Sequence, residues 1–406
     1  MSKILLKERV SFEYGYGVRV SNEPQGEYPV FGSNGVNGFI NSYKVEGPGV
    51  IIGRKGSVGK VTYSSKSFTP TDTAYYLQIL DSSLDDLKFW FYYLPLIGLE
   101  KLNTHSAVPG LSREIAYLLE INPPTKLDQQ NISSVLSAID KKIELNNKIK
   151  SELADISKTL YEYWFVQFNY PNCDNKPYKS SGGSMVYSNV LKKEIPECWA
   201  TSTLSEVISR SGTGLNPRDN FKLGDGDCFY VTIKNIDNGK IILDDRCDKI
   251  NKEALKIIDK RSQLDSGDVL FTSIEPVGIT YLIHDKPVNW NINESVFTLR
   301  PDYTKITSEY LYLLLSSSEM KSFTKNVSSG SIHKGIRHSV LKTFKLPYSG
   351  YELIAKFSEI IKPSLRKIYI LDNENAKLSE LKKWLLPMLM NGQIKISKTA
   401  NIETCS

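Results

Sequence analysis

The stretch GVIIGRKGSVGKVTY, Gly49 to Tyr63, sets glycines among Arg54, Lys55 and Lys60 where a phosphate could sit. A phosphate-cradling P-loop needs GxxxxGK followed by Ser or Thr, because its glycines let backbone amides wrap the phosphates while the hydroxyl holds magnesium. Here Arg54 stands five residues before Gly59 and Val61 follows Lys60, so both ends fail. Two β-runs, GVII and KVTY, joined by a glycine-rich connection that projects Arg54, Lys55, Ser57 and Lys60, fit the residues better. Such a connection can lay cations on a phosphate backbone or be an ordinary solvated hairpin tip. The stretch alone leaves both readings open.

Other polar turns carry side chains able to contact bases or phosphates. They are FGSNGVNG with Asn34 and Asn37, GTGLNPRDN with Asn216 and Arg218, and TIKNIDNGK with Lys234 and Asn235. WNINES adds Asn291 and Asn293, and SSGSIHKGIRHSVL adds His333, Lys334 and Arg337. Asn pairs bidentately with adenine, and Arg with guanine. Taken singly, each of these segments also reads as plain turn chemistry.

No catalytic constellation emerges. INPPT, Ile121 to Thr125, resembles the (N/D)PP(Y/F) motif of adenine-N6 methyltransferases, but Thr125 stands where an aromatic must stack on the base, and no glycine-rich cofactor motif precedes it. Pro123 and Pro124 more simply end a strand before a helix. His105, His284, His333 and His338 form neither HExxH nor a metal-ligand spacing. Cys173, Cys198, Cys228, Cys247 and Cys405 contain no CxxC pair, so neither a zinc site nor a disulfide framework is expected, and a reduced, cytoplasmic setting fits. No window approaches 18 uninterrupted apolar residues, which argues against a membrane partner.

The elements that must position these side chains repeat. Residues 1–122 read as short β-runs (VIIG, KVTY, TAYYLQIL) and a late helical patch, DDLKFWFYYLPLI. Then Ile132, Leu136, Ile139, Ile143, Asn146, Ile149, Leu153, Ile156, Leu160 and Trp164 recur at steps of three or four, the stripe of an amphipathic helix roughly 50 Å long. YPNCDNKPYKSSGGSMVYSN follows and reads as a linker. Residues 199–346 again give β-runs (CFYVTIKNI, GDVLFTSI, ESVFTLRP) and a helical patch, SEYLYLLLSSSEM. A second stripe runs through Ile354, Phe357, Ile361, Leu365, Ile368, Leu371, Leu378, Leu381 and Leu385. At an offset of 225, Lys141-Lys142-Ile143 falls on Arg366-Lys367-Ile368, Ile156 on Leu381 and Gly110 on Gly335, whereas the β parts align near 218.

Helices related by an approximate two-fold axis run antiparallel and bury their stripes together. Asn146 on the stripe either fixes register or is locally solvated, and Pro363 should kink or interrupt the second helix. The predicted organisation is a first head at 1–122, a first long helix region at 123–170, a linker at 171–198, a second head at 199–346, a second long helix region at 347–396 and a tail at 397–406. Charge is uneven: residues 1–170 are balanced, so the net +6 lies beyond them, which is weak evidence for a polyanionic partner.

The order head, helix, head, helix resembles the specificity subunit of type I restriction-modification systems over essentially the whole chain. The residues that carry the likeness are YPVFGSNGVNGFINSY, GPGVIIGRKGSVGKVTYSSKSFTPTDTAYYL, GLSREIAYLLEINPPTKLDQQNISSVLSAIDKKIELNN and the closing LKKWLLPMLMNGQI. The resemblance implies an α+β fold of two mixed α/β target-recognition domains separated by two long antiparallel α-helices, a pseudo-two-fold tandem repeat. It implies double-stranded DNA as partner, each domain reading half of a bipartite site, and a subunit without catalytic activity or a cofactor of its own.

It further implies docking of two methyltransferase subunits that use S-adenosylmethionine; two restriction subunits using ATP and magnesium can join, making the assembly an adenine methyltransferase and endonuclease. The expected DNA contacts come from loop chemistry, not from a family motif: Asn34, Asn37, Arg54, Lys55, Ser57, Lys60, Asn216, Arg218, Lys234, Asn235, His333, Lys334 and Arg337. The expected partner or helix interface is Ile132, Leu136, Ile139, Ile143, Leu153, Ile156, Leu160, Phe357, Ile361, Ile368, Leu378, Leu381 and Leu385. The alternatives are a structural adaptor and a methyltransferase or restriction enzyme with built-in recognition; the missing cofactor motif argues against the latter.

Overall fold

The computed structural model describes residues 3–18, 26–102, 110–218, 220–237, 239–328 and 335–396. The chain forms two compact units, Met1–Glu144 with Ala376–Ser406 and Leu145–Asn375. Each unit holds one head and part of both long helices.

In the first head, the strands Val10–Tyr14, Ala74–Ile79, Gly49–Gly53 and Val61–Ser64 form a four-stranded antiparallel sheet in that order. Gly49–Gly53 lies inside the sheet and is buried along its whole length, as its run of Val50, Ile51 and Ile52 dictates. A second sheet joins Gly35–Ile40, Tyr28–Gly32 and Thr69–Pro70, the last pair parallel. The aromatic patch is the helix Leu87–Tyr93, which buries Phe89, Trp90 and Tyr92 with Val50, Ile52 and Leu136.

The second head repeats this wiring. Ile208–Thr213, Val296–Pro301, Val269–Thr272 and Thr280–Leu282 form the same four-stranded order, and Asp248–Ile250, Cys228–Val231 and Trp290–Ile292 the same three-stranded one. The equivalence extends to single hydrogen bonds. Gly53 N donates to Lys60 O and Gly59 N to Gly53 O, while Thr272 N donates to Ile279 O and Gly278 N to Thr272 O. Lys55 bridges Gly110 as Ile274 bridges Gly335. Gly15 and Gly214 follow equivalent strands, and a Cβ there would lie 1.9 Å from Thr71 O and 1.8 Å from Ile292 O, so only glycine fits.

The first long helix, Lys126–Tyr161, spans 36 residues, about 54 Å at the standard rise. Before it, Glu120–Ile121 pairs with Ile4–Leu5, and the Thr125 hydroxyl accepts from Asp128 N at 3.3 Å and donates to its carboxylate at 2.7 Å. INPPT is therefore a strand end, a proline stop and a helix cap. Lys345–Tyr348 pairs with Ala200–Thr203 in the same way ahead of the second long helix, Tyr351–Met390. That helix runs through Pro363 without a break, so of the kink or interruption expected from sequence the interruption does not occur. Pro363 is exposed, so water can satisfy the carbonyl one turn back.

Most of the expected stripe is inward-facing: Ile132, Leu136, Ile139, Phe357 and Ile361 are buried, and Ile143, Leu153, Leu160, Ile368, Leu378 and Leu385 half-buried. Ile156 and Leu381 depart from the buried stripe expected of them. They are 58% and 44% exposed, because steps of four from Leu153 put Ser157 and Tyr161 on the inner face, and the same step from Leu378 puts Lys382 there. In the second unit the helices pair antiparallel: Asn375 Nδ2 donates to Asn147 Oδ1 at 3.0 Å, Lys150 pairs with Asp372, and Phe165 meets Phe357 edge to face at 5.0 Å. In the first unit Lys382 Nζ reaches Asp140 at 2.5 Å, where Tyr92 of the head also donates at 2.7 Å.

The segment read as a linker is folded. Tyr170 stacks between Tyr178 at 4.8 Å and Trp199 at 5.2 Å, and Met185–Ser188 forms a hairpin with Lys193–Pro196 that buries Ile195. Its Gly, Ser and Asn content serves tight turns, while its aromatics supply the anchor.

Candidate nucleic-acid interface

In the first head the loop Gly53 to Lys60 closes on itself through the two backbone bonds above. Gly59 has φ +74°, and a Cβ there would meet Glu100 N at 2.5 Å. This turn brings Lys60 to the tip that follows Tyr28–Gly32. Lys60 Nζ donates to Asn34 O at 2.9 Å and to Asn34 Oδ1 at 2.7 Å, and Ser57 Oγ donates to the same Oδ1 at 3.4 Å. Three residues expected at the site thus meet on one exposed tip. Lys55 and Asn37 are exposed nearby in sequence, Asn37 on the strand Gly35–Ile40. No ion pair among the described residues holds Arg54, Lys55 or Lys60, so their charge is available to a polyanion.

Arg54 is held differently. Its Nη1 donates to Asp72 O at 3.2 Å, and its guanidinium carbon lies 4.8 Å from the Tyr14 ring centroid and 5.6 Å from that of Tyr75. Arg113 also stacks on Tyr14, at 4.5 Å. Tyr14 remains 44% exposed, whereas Tyr75 is buried with its hydroxyl donating to Leu111 O at 3.1 Å. Burial pushes the Tyr75 phenol up to about 12, so it stays a neutral donor. Sequence reasoning missed Tyr14 and Arg113; no local pattern announces a contact between residues this far apart in the chain.

In the second head, Lys234 and Arg218 are exposed, and Lys234 occupies the tip equivalent to Asn34. Asn235 is a correction: it is 5% exposed, and its Oδ1 accepts from Thr232 N at 2.9 Å and Thr232 Oγ1 at 3.0 Å. Its amide caps a turn and is closed to a base. Asn216 is half-buried with Nδ2 donating to Glu294 at 2.7 Å, so it too is engaged within the head. Asn291 is fully buried between Ser262 and Asp259, and Asn293 accepts from Ser295 N.

Arg337 is exposed at the start of the helix His338–Leu341. His338 lies 5.0 Å from Phe297, and burial, with Lys342 nearby, lowers its pKa. His105, His333 and Lys334 lie outside the described residues. A basic group not anticipated is Arg261, whose Nη2 donates to Thr213 Oγ1 at 3.1 Å from the helix Lys252–Ser262.

Among the described residues, no group of three or more His, Cys, Asp and Glu side chains could hold a metal ion, and no helix is long and apolar enough to cross a membrane.

Comparison with known proteins adds the family. The chain is 24% identical over 307 residues to the MjaIX type I restriction enzyme specificity subunit of Methanocaldococcus jannaschii, covering 74% of this chain and 66% of that protein. It is 23% identical over 340 residues to the HindI specificity subunit of Haemophilus influenzae, covering 70% and 71%. The chain thus spans about two thirds of the length of these relatives. Its fold is similar to the crystal structure of a type I restriction-modification S subunit from M. genitalium, with a TM-score of 0.66, 18% identity, and 96% and 95% of the two chains covered. The family model described as type I restriction modification DNA specificity domain matches twice, at residues 18–155 and 196–379. Each match takes in one head with most of its following helix, and together they cover most of the sequence: the chain belongs to the type I restriction-modification DNA specificity family.

Proposed function

We propose that this chain is the DNA-reading subunit of a type I restriction-modification assembly, in which each head reads one half of a bipartite duplex site. One observation carries the reading. The heads share their backbone scaffold down to equivalent hydrogen bonds, glycines and bridges, yet differ along the loops they carry, where the exposed Asn34 and Lys60 and the half-buried Ser57 of one correspond to the exposed Lys234, the half-buried Ile279 and the exposed Pro276 of the other. A constant frame with variable tips is what two readers of different sequences require. Lys55 and Lys60 contact phosphates of the first half-site, and Lys234 and Arg218 serve the second.

The long helices set the gap between half-sites, so the unread spacer follows helix length. They also dock the catalytic partners. Leu145 and Ile370 are 53% and 48% exposed, and Ile156 and Leu381 58% and 44%; both pairs are related by the offset of 225. Two copies of one exposed apolar pattern suit two copies of one modification subunit. That subunit brings S-adenosylmethionine and the methyl-transfer chemistry, and restriction subunits bring ATP and magnesium, with this chain contributing recognition alone.

The test is selection from a random-sequence duplex library with the chain assembled on its modification subunit. Two short enriched blocks at a fixed gap support the reading. Stable assembly with no enrichment would leave a structural adaptor.

A further inference from the structure

At the end of the first strand of each head a shared frame carries different chemistry, with Tyr14 exposed in one and Thr213 half-buried in the other. Tyr14 pairs with Tyr75 as Thr213 pairs with Phe297. Leu111 N donates to Arg54 O as Ile336 N donates to Ser273 O, and Arg113 and His338 each open the short helix that follows. The backbone positions correspond one for one, while Tyr14, Arg54 and Arg113 of the first head become Thr213, Ser273 and His338 in the second. Ser273 is buried and donates to Ser295 O, so nothing like a guanidinium projects from that position.

A group needed for folding would be expected in both copies of a duplicated frame. The Arg54 arrangement occurs in one. It is also pre-formed: the Tyr14 ring lies 4.5 Å from the Arg113 guanidinium carbon and 4.8 Å from that of Arg54, and Arg54 Nη1 donates to Asp72 O at 3.2 Å. A guanidinium held over an aromatic ring loses less rotamer freedom on meeting a planar acceptor pair. Guanine O6 and N7 in the major groove are such a pair. The phosphate contacts assigned above, Lys55 and Lys60, belong to the same loop and would set the approach.

We propose that Arg54 is the guanine-reading residue of the first head, with Tyr14 as the positioning residue over which its guanidinium lies. This rests on the reading of the heads as DNA-recognition domains. The adenine and cytosine edges lack the paired acceptors, so one guanine is obligatory in the half-site of this head, and the second head has no such requirement at its equivalent position.

The experiment uses the full chain assembled with its modification subunit. The motif is mapped first, and affinities are then measured on the motif duplex and on duplexes with each guanine of either half replaced by adenine. Arg54→Lys keeps the charge but loses the fork. It is expected to lower discrimination at one guanine of one half-site about ten- to a hundredfold and to leave discrimination in the other half unchanged, which also reports that the variant is folded. Tyr14→Ala lowers the same ratio, and Tyr14→Phe, which keeps the stacking ring, restores it.

An unchanged ratio with uniformly weaker binding in Arg54→Lys overturns the proposal and makes Arg54 a phosphate contact. A half-site without a guanine overturns it as well. Absence of any sequence preference in the unsubstituted complex refutes the recognition reading itself, a distinct result.

Discussion

Asn146 of the first long helix donates its Nδ2 to Glu374 Oε2 of the second at 2.8 Å and to Asn375 Oδ1 at 2.9 Å, and is itself fully buried. A polar residue inside an apolar stripe fixes register, since any slip leaves it without these partners. Asn146→Ala is expected to lower stability by about 1–3 kcal/mol, as for loss of a hydrogen bond to a charged acceptor. Urea denaturation checks this, and a double-mutant cycle with Glu374→Ala should return a coupling of about 1 kcal/mol; additive effects would remove the register role.

Gly15 and Gly214 give a matched pair. Because a Cβ at either would overlap a carbonyl oxygen at under 2 Å, Gly15→Ala and Gly214→Ala should each cost about 2 kcal/mol or more through forced backbone movement. Thermal melting of the two variants should show comparable losses. A tolerated alanine at one position would show that the frames are not equivalent there.

His284 links pH to the second unit. It stacks on Tyr369 at 4.6 Å, and burial, with help from Arg366 and against the opposing Asp285, pushes its pKa down to about 4 from an ordinary value near 6.5. The unfolded chain therefore binds a proton near pH 6.5 that the folded chain refuses until about 4. The stability present above pH 6.5 is lost progressively as pH falls through that window. His284→Gln should flatten the fall of melting temperature between these limits, and an unchanged slope would assign it to other groups.

Exposed apolar residues at equivalent positions predict where partners sit. Ile156→Glu and Leu381→Glu lie on the outer face, so each should change stability by less than about 0.5 kcal/mol. Each should weaken capture of the modification subunit tenfold or more, since a buried unpaired carboxylate is costly. Light scattering of the assembled complex would then show one bound subunit instead of two; full occupancy in both variants would move the docking surface elsewhere.

The long helices and the tandem repeat were legible because periodicity and offset are properties of local spacing. Strands such as Gly49–Gly53 and Val269–Thr272 were legible as β-branched runs between turn residues. The inner face was misjudged at Ile156 because apolar character was followed where geometry demanded Ser157. The tips were harder. Lys60 meets Asn34 across 26 residues, and Tyr14 meets Arg113 across the whole head. Only the folded sheet brings them together, and nothing in TIKNIDNGK distinguishes the buried cap Asn235 from its exposed neighbour Lys234.

Lys60→Ala separates positioning from reading. Its ammonium is bound to Asn34 in the free chain and is transferable to a phosphate. Binding should weaken on every duplex alike, and the slope of log affinity against log salt should fall by about 0.9, one released counterion. A loss confined to one base position would contradict the phosphate role.

The most direct test of the central claim is to co-express this chain with its modification subunit in a methylation-free host and map methyladenine by long-read sequencing. The account predicts a single split motif, two short defined blocks separated by an unread gap of constant length. Scattered methylation without a motif, or none despite a stable soluble complex, would contradict it.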